Sequence, residues 1–145
     1  MNWNSIPNNE RLHMWRSVRT AVLDLSLAEQ MPIIAKFFAE MPFGARTLDY
    51  YTPAEWPTPW EILYHGSFCK SSISLLIFYT LSLLHTDHVI ELHLIDDRSD
   101  IYLLPVIDNK FALNYELGTI SDYAEIKEEI TVKQVFPADR VKKVT

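Results

Sequence analysis

Cys69-Lys-Ser-Ser-Ile-Ser-Leu-Leu-Ile-Phe-Tyr-Thr-Leu-Ser-Leu-Leu84, followed shortly by His88-Val-Ile-Glu-Leu-His-Leu-Ile95, holds the change of period on which the fold turns. The first segment is apolar on nearly every side, as a helix enclosed by protein must be. Its apolar run from Ile73 to Leu84 is too short to span a bilayer and is broken by Ser74, Thr80 and Ser82. The second segment alternates: Ile90, Leu92 and Leu94 fall on one face, Glu91 and His93 on the other, wetter one. Asp96-Asp-Arg-Ser-Asp100 reads as a polar turn, Ile101 to Ile107 as a second strand, Asp108-Asn-Lys110 as a tight turn and Phe111 to Tyr115 as a third strand. Short connections make this an antiparallel meander. Pro105 cannot donate to a ladder, so a bulge or imperfect pairing is expected there. The class is α+β: N-terminal helices, a buried central helix and a small antiparallel sheet packed on it.

Upstream, Asn8 is placed to cap a first helix, with Leu12, Trp15, Val18, Val22 and Leu25 as its apolar stripe. Ser26-Leu-Ala-Glu29 fits a capping box. Pro32 fits the first position of a second helix, which buries Ile34, Phe37, Phe38 and Met41 and ends at Pro42 and Gly44. Residues 45–57 form an aromatic loop expected to lie across the core. Its Tyr50, Tyr51 and Trp56, with Trp60 just beyond, are the candidate contact surface. Thr58-Pro-Trp-Glu61 is a second capping box and opens a short helix to about His65, which Gly66 stops. Ser67 then caps the central helix and puts Cys69 in its first turn. Beyond the meander, Ser121 to Glu129 suggests a short acidic helix, Ile130 to Phe136 a further strand, and Arg140 to Thr145 a mobile or partner-docked tail. The chain thus divides into a helical part (1–44), the aromatic loop (45–57), the core helix with its meander (58–115) and a C-terminal extension (116–145), all in one domain.

Composition narrows the function. A net charge of −6 with scattered basic residues argues against binding nucleic-acid phosphates. A single cysteine cannot form an internal disulfide, which suits a reducing compartment. No signal peptide and no Gly-rich phosphate loop are visible. One Cys and five dispersed His offer no close ligand pair, so neither a metal nor another cofactor is expected.

One constellation could carry chemistry. A thiol at a helix N-terminus feels the positive end of the helix dipole, which favours the thiolate. Folding the first hairpin about residues 98 and 99 brings His88 opposite Asp108 or Asn109, with His88 on the helix-facing side. Cys69, His88 and Asp108 would then be nucleophile, base and orienting carboxylate. Each has a plain alternative: Cys69 as a small core residue, His88 as a loop residue, Asp108 as a turn former. His65 is a further candidate partner for Cys69 across the helix break.

Gly66-Ser-Phe-Cys69, His88-Val-Ile-Glu-Leu and Tyr102-Leu-Leu-Pro-Val-Ile-Asp108 resemble the transglutaminase-like, papain-related cysteine hydrolase core over roughly residues 58–115. That core has Cys at the start of its central helix, then a sheet carrying His and then Asp. It has an aromatic soon after the His, where this chain has Val89 and Ile90, and more strands between helix and His. The run Trp56-Pro-Thr-Pro-Trp-Glu-Ile-Leu63, Phe68-Cys69, Tyr79-Thr-Leu-Ser-Leu83 and Leu113-Asn-Tyr115 also resembles a group of small tailed-bacteriophage proteins. That resemblance implies a phage protein in the host cytoplasm or incorporated in the virion, with viral or host proteins as partners and oligomers allowed. Two functions follow. One is a non-catalytic interaction protein (a virion component, an assembly factor or a host-interaction factor). The other is a cysteine hydrolase or acyltransferase acting on an amide or thioester.

Overall fold

A computed structural model describes residues 5–41, 48–65, 69–85 and 87–141. Two helices come first, α1 (Asn8–Val22) and α2 (Leu27–Ala39). A 3-10 turn (Pro53–Glu55), α3 (Pro59–His65) and the central helix α4 (Lys70–Leu84) follow. Then come β1 (Ile90–Asp96), β2 (Ile101–Ile107), β3 (Phe111–Leu113), β4 (Ile120–Asp122), the single turn α5 (Tyr123–Ile126) and β5 (Thr131–Pro137). The strands form one antiparallel sheet in the order β4-β3-β2-β1-β5. This is the expected α+β architecture. The strand foreseen after Ile130 is present, and it lies beside β1 rather than continuing the meander. No helix among the described residues is long and apolar enough to cross a membrane.

Local signals explain two of the helix starts. Ser26 and Glu29 form the capping box of α2, and Thr58 and Glu61 that of α3. Because α2 begins at Leu27, Pro32 lies inside the helix rather than at its first position. Asn8 is likewise not the cap of α1. Pro7 holds that place, and the Asn8 side chain accepts a hydrogen bond from Arg11 instead. The proposed stops at Pro42, Gly44 and Gly66, and the tail beyond Val141, lie outside the described residues.

The sheet is covered on both faces. Ile90, Leu92 and Leu94 of β1 and Leu103 and Ile107 of β2 join the main core with α1, α2 and α4. Tyr102, Leu104 and Val106 face the other way, into a smaller cluster closed by Tyr123 and Ile126 of α5. The face expected to be wet is therefore largely sealed. Pro105 sits in an unbroken β1–β2 register opposite Leu92. Strand N–H groups alternate edges, so the donor that Pro105 lacks would share the edge of the Leu103 N–H. That edge lies beyond the reach of β3, which pairs only Val106 and Ile107. The Leu103 N–H is instead taken by Ser71 Oγ at 3.0 Å. The irregularity falls elsewhere, between Leu94 and Ile95 where β1 meets β5.

Candidate functional site

Cys69 is the N-cap residue of α4, not a residue of its first turn. Its Sγ accepts the Ser72 N–H at 3.4 Å, while Ser72 Oγ accepts the Cys69 N–H at 2.9 Å. The two residues thus form a capping box with sulfur in the usual hydroxyl position. The expected cap, Ser67, lies outside the described residues. The first turn of α4 is tied down by three side chains. Ser71 Oγ receives Leu103 N–H and contacts Tyr50 Oη at 3.0 Å. Asn114 Nδ2 donates to Lys70 O and to Ser74 Oγ. Lys70 Nζ donates to Tyr115 O at 2.8 Å and stands 4.2 Å from the Tyr102 ring.

Cys69 thereby opens on a cleft of about 250 Å³ lined by Leu48, Tyr50, Lys70, Asp100, Ile101 and Tyr102. Burial lowers the Lys70 pKa, and Asp97, Asp100 and Glu116 partly restore it. Burial likewise raises the Tyr50 pKa. The cleft therefore offers an ammonium, a carboxylate and two phenols around a half-buried thiol. None of the described residues lining it carries an imidazole.

His88 and Asp108 meet as the hairpin register foresaw. His88 Nδ1 lies 2.7 Å from Asp108 Oδ2, and Asp108 Oδ1 accepts Val89 N–H at 2.8 Å. Slight burial acts to raise the Asp108 pKa, but the hydrogen bonds from His88 and Val89 outweigh it and hold it below the usual carboxylate range. Asp108 and Asn109 both have left-handed backbone (φ 53° and 55°) and are the central residues of a tight turn closed by Lys110 N–H to Ile107 O, inside the three-residue connection from β2 to β3.

The structure does not bring Cys69 to this pair. Two rulers agree. The 15 residues of α4 span about 22 Å, with Cys69 capping one end and His85 the other. The His85 ring lies 5.0 Å from the ring of His88. Along β2, Cys69 shares the cleft of Ile101 and Tyr102, whereas Asp108 follows Ile107 at the far end, about 20 Å away. The physical reason is the short α4–β1 connection: the first strand starts where the helix stops. His65 is exposed, packs edge-on against Tyr64 and is not among the residues that line the cleft.

The aromatic loop also needs correction as a contact surface. Trp56 is 1 % exposed, donates to Asp49 O and packs edge-on against Phe136. Trp60 is half-buried against Trp15. Tyr50 is held by Ser71 and Ile101 O. Only Tyr51 stands open, at 72 % exposure. From residue 48 onward the loop is laid on the core, and the aromatic area of Trp56, Tyr50 and Trp60 is largely spent there.

Two features escaped the sequence reading. His93 is buried at 3 % exposure; Tyr123 Oη donates to its Nδ1 and its Nε2–H reaches Glu91. Burial lowers the His93 pKa, and burial pushes Tyr123 up to about 12. Second, the five His are not all dispersed: His85, Asp87 and His88 cluster at the α4–β1 junction. The His-x-x-His spacing was the visible signal.

No family model matches the sequence, and no curated protein is significantly similar to it. Among solved structures, calcium-bound LapG of Legionella pneumophila superposes with a TM-score of 0.68 over 97 % of this chain and 85 % of its own, at 10 % identity. A second structure, of Legionella pneumophila LapG, gives 0.64 over 90 % and 71 %, at 11 % identity. The fold is transglutaminase-like. At such identity the likeness is one of architecture, and function must be argued from the side chains.

Proposed function

We propose that this chain is a non-catalytic interaction protein on a transglutaminase-like core, and that it binds its partner through the Cys69 cleft and the adjoining Tyr51. One observation carries the reading: the thiol and the His88–Asp108 pair lie at opposite ends of α4. A cysteine nucleophile needs its base within hydrogen-bond reach. Here the sulfur serves a helix cap, and the cleft around it presents Lys70, Asp100 and tyrosines, groups suited to holding a peptide surface. The partner is another phage protein or a host protein. That setting rests on the sequence resemblance alone, since neither similar structure comes from a phage.

The likeness to LapG, taken by itself, favours the second reading, a cysteine hydrolase or acyltransferase acting on an amide or thioester. It would require a base for Cys69 other than His88. Alkylation separates the two. In the folded protein, iodoacetamide should label Cys69 near neutral pH no faster than it labels a free cysteine. Cys69→Ser should also support the biological role as well as wild type, whereas Asp100→Arg in the cleft should impair it. Labelling near neutral pH well above the rate of a free cysteine, or loss of the role in a folded Cys69→Ser, would establish the catalytic reading instead.

A further inference from the structure

The cluster at the α4–β1 junction is independent of the cleft. His85 is the C-cap of α4, and Asp87 and His88 lie in the link to β1. One ligand atom from each of the three lies within 4.8 Å of the others. His85 Nδ1 is 3.7 Å from Asp87 Oδ1.

What lifts this above a chance grouping is the second layer, which fixes both imidazole tautomers. Gln30 is buried at 1 % exposure, and its Nε2 donates to Val22 O at 2.8 Å. Its Oε1 is thereby turned toward His85 Nε2. A carbonyl can only accept, so Nε2 bears the proton and Nδ1, on the Asp87 side, keeps a lone pair. Asp108 does the same for His88. Its carboxylate accepts from Nδ1 and is itself pinned by Val89 N–H, which leaves the His88 Nε2 lone pair free. Metal-binding histidines are held in this way, with one ring nitrogen donating to a carboxylate or carbonyl and the other on the metal.

We propose that His85, Asp87 and His88 bind a divalent first-row transition-metal ion, zinc foremost, with Gln30 and Asp108 as positioning residues. Two imidazoles and one carboxylate suit this class, whereas calcium and magnesium take oxygen ligands. Tetrahedral zinc places its ligands about 3.3 Å apart, so the group must close somewhat on binding. Asp87, with its side chain 79 % exposed, is free to do so. Three protein ligands leave a fourth position for water or for a group from a partner.

The test is titration of the tag-free protein with Co²⁺, read by visible absorption, and with Zn²⁺, read by calorimetry. One ion per chain is expected. His85→Ala and His88→Ala should abolish that binding. Asp87→Asn, at an exposed side chain that cannot disturb the fold, should weaken it clearly. Asp108→Asn should weaken it about 10- to 100-fold, and His13→Ala and His65→Ala should bind like wild type. The site is refuted if folded wild type takes up no stoichiometric metal, or if Asp87→Asn and His88→Ala bind it undiminished. Neither result touches the Cys69 labelling experiment, so the two readings fail separately.

Discussion

His93 shows what one buried residue does to the pH response of the whole chain. Its folded-state pKa lies below the ordinary value, chiefly because burial disfavours the imidazolium. The unfolded chain therefore takes up a proton near pH 6.5 while the folded chain resists it. The His93 contribution to stability is fully present above that pH. It is lost as pH falls through the window between the unfolded and the lowered folded pKa. Urea midpoints measured at pH 7.5 and pH 5 should show wild type losing stability on acidification. His93→Gln, which cannot protonate, should lose distinctly less, although it starts from a lower value because Tyr123 and Glu91 lose their fitted partner. A wild type as stable at pH 5 as at pH 7.5 would show that His93 is solvated in the folded protein.

Among the elements, the junction of α4 with the sheet decides where every candidate residue lies. Asn114 is the clearest probe of it. Its backbone is left-handed (φ 68°), and its side chain donates to Lys70 O and Ser74 Oγ. Asn114→Gly keeps the backbone at ease and loses only the hydrogen bonds, about 1–3 kcal/mol. Asn114→Ala should cost about 1–2 kcal/mol more for the left-handed conformation. Chemical denaturation should rank wild type above Gly and Gly above Ala. Equal losses would mean that the turn relaxes. The same junction explains what could be read from the sequence and what could not. The β1–β2 hairpin and its His88–Asp108 contact were legible because alternation and Asp-rich turns are local signals. The distance from Cys69 to His88 was legible too, since a helix of fixed rise separates them, and the triad expectation overlooked that ruler. The cap at Cys69 was hidden because Ser67 offered a conventional alternative. The position of β5 was not legible at all: Thr131-Val-Lys-Gln-Val-Phe136 alternates weakly, and its partner β1 is remote in sequence.

At the scale of the molecule, β5 joins parts of the chain that have no other reason to meet. It completes the sheet beside β1, and its Phe136 packs edge-on against Trp56 of the aromatic loop, with ring centroids 4.8 Å apart. Phe136 is fully buried, so Phe136→Ala should cost about 3–5 kcal/mol. Thermal unfolding would then begin much earlier, still as one transition. Two separate transitions would show that β5 and its loop unfold apart from the helical core. The order of synthesis adds a further consequence. β1 leaves the ribosome well before the strand that covers its outer edge, and that edge is apolar on one side and unpaired along its length until β5 follows. Holdase chaperones should therefore engage the nascent polypeptide in this interval, and slower translation downstream of Asp96 should prolong the exposure.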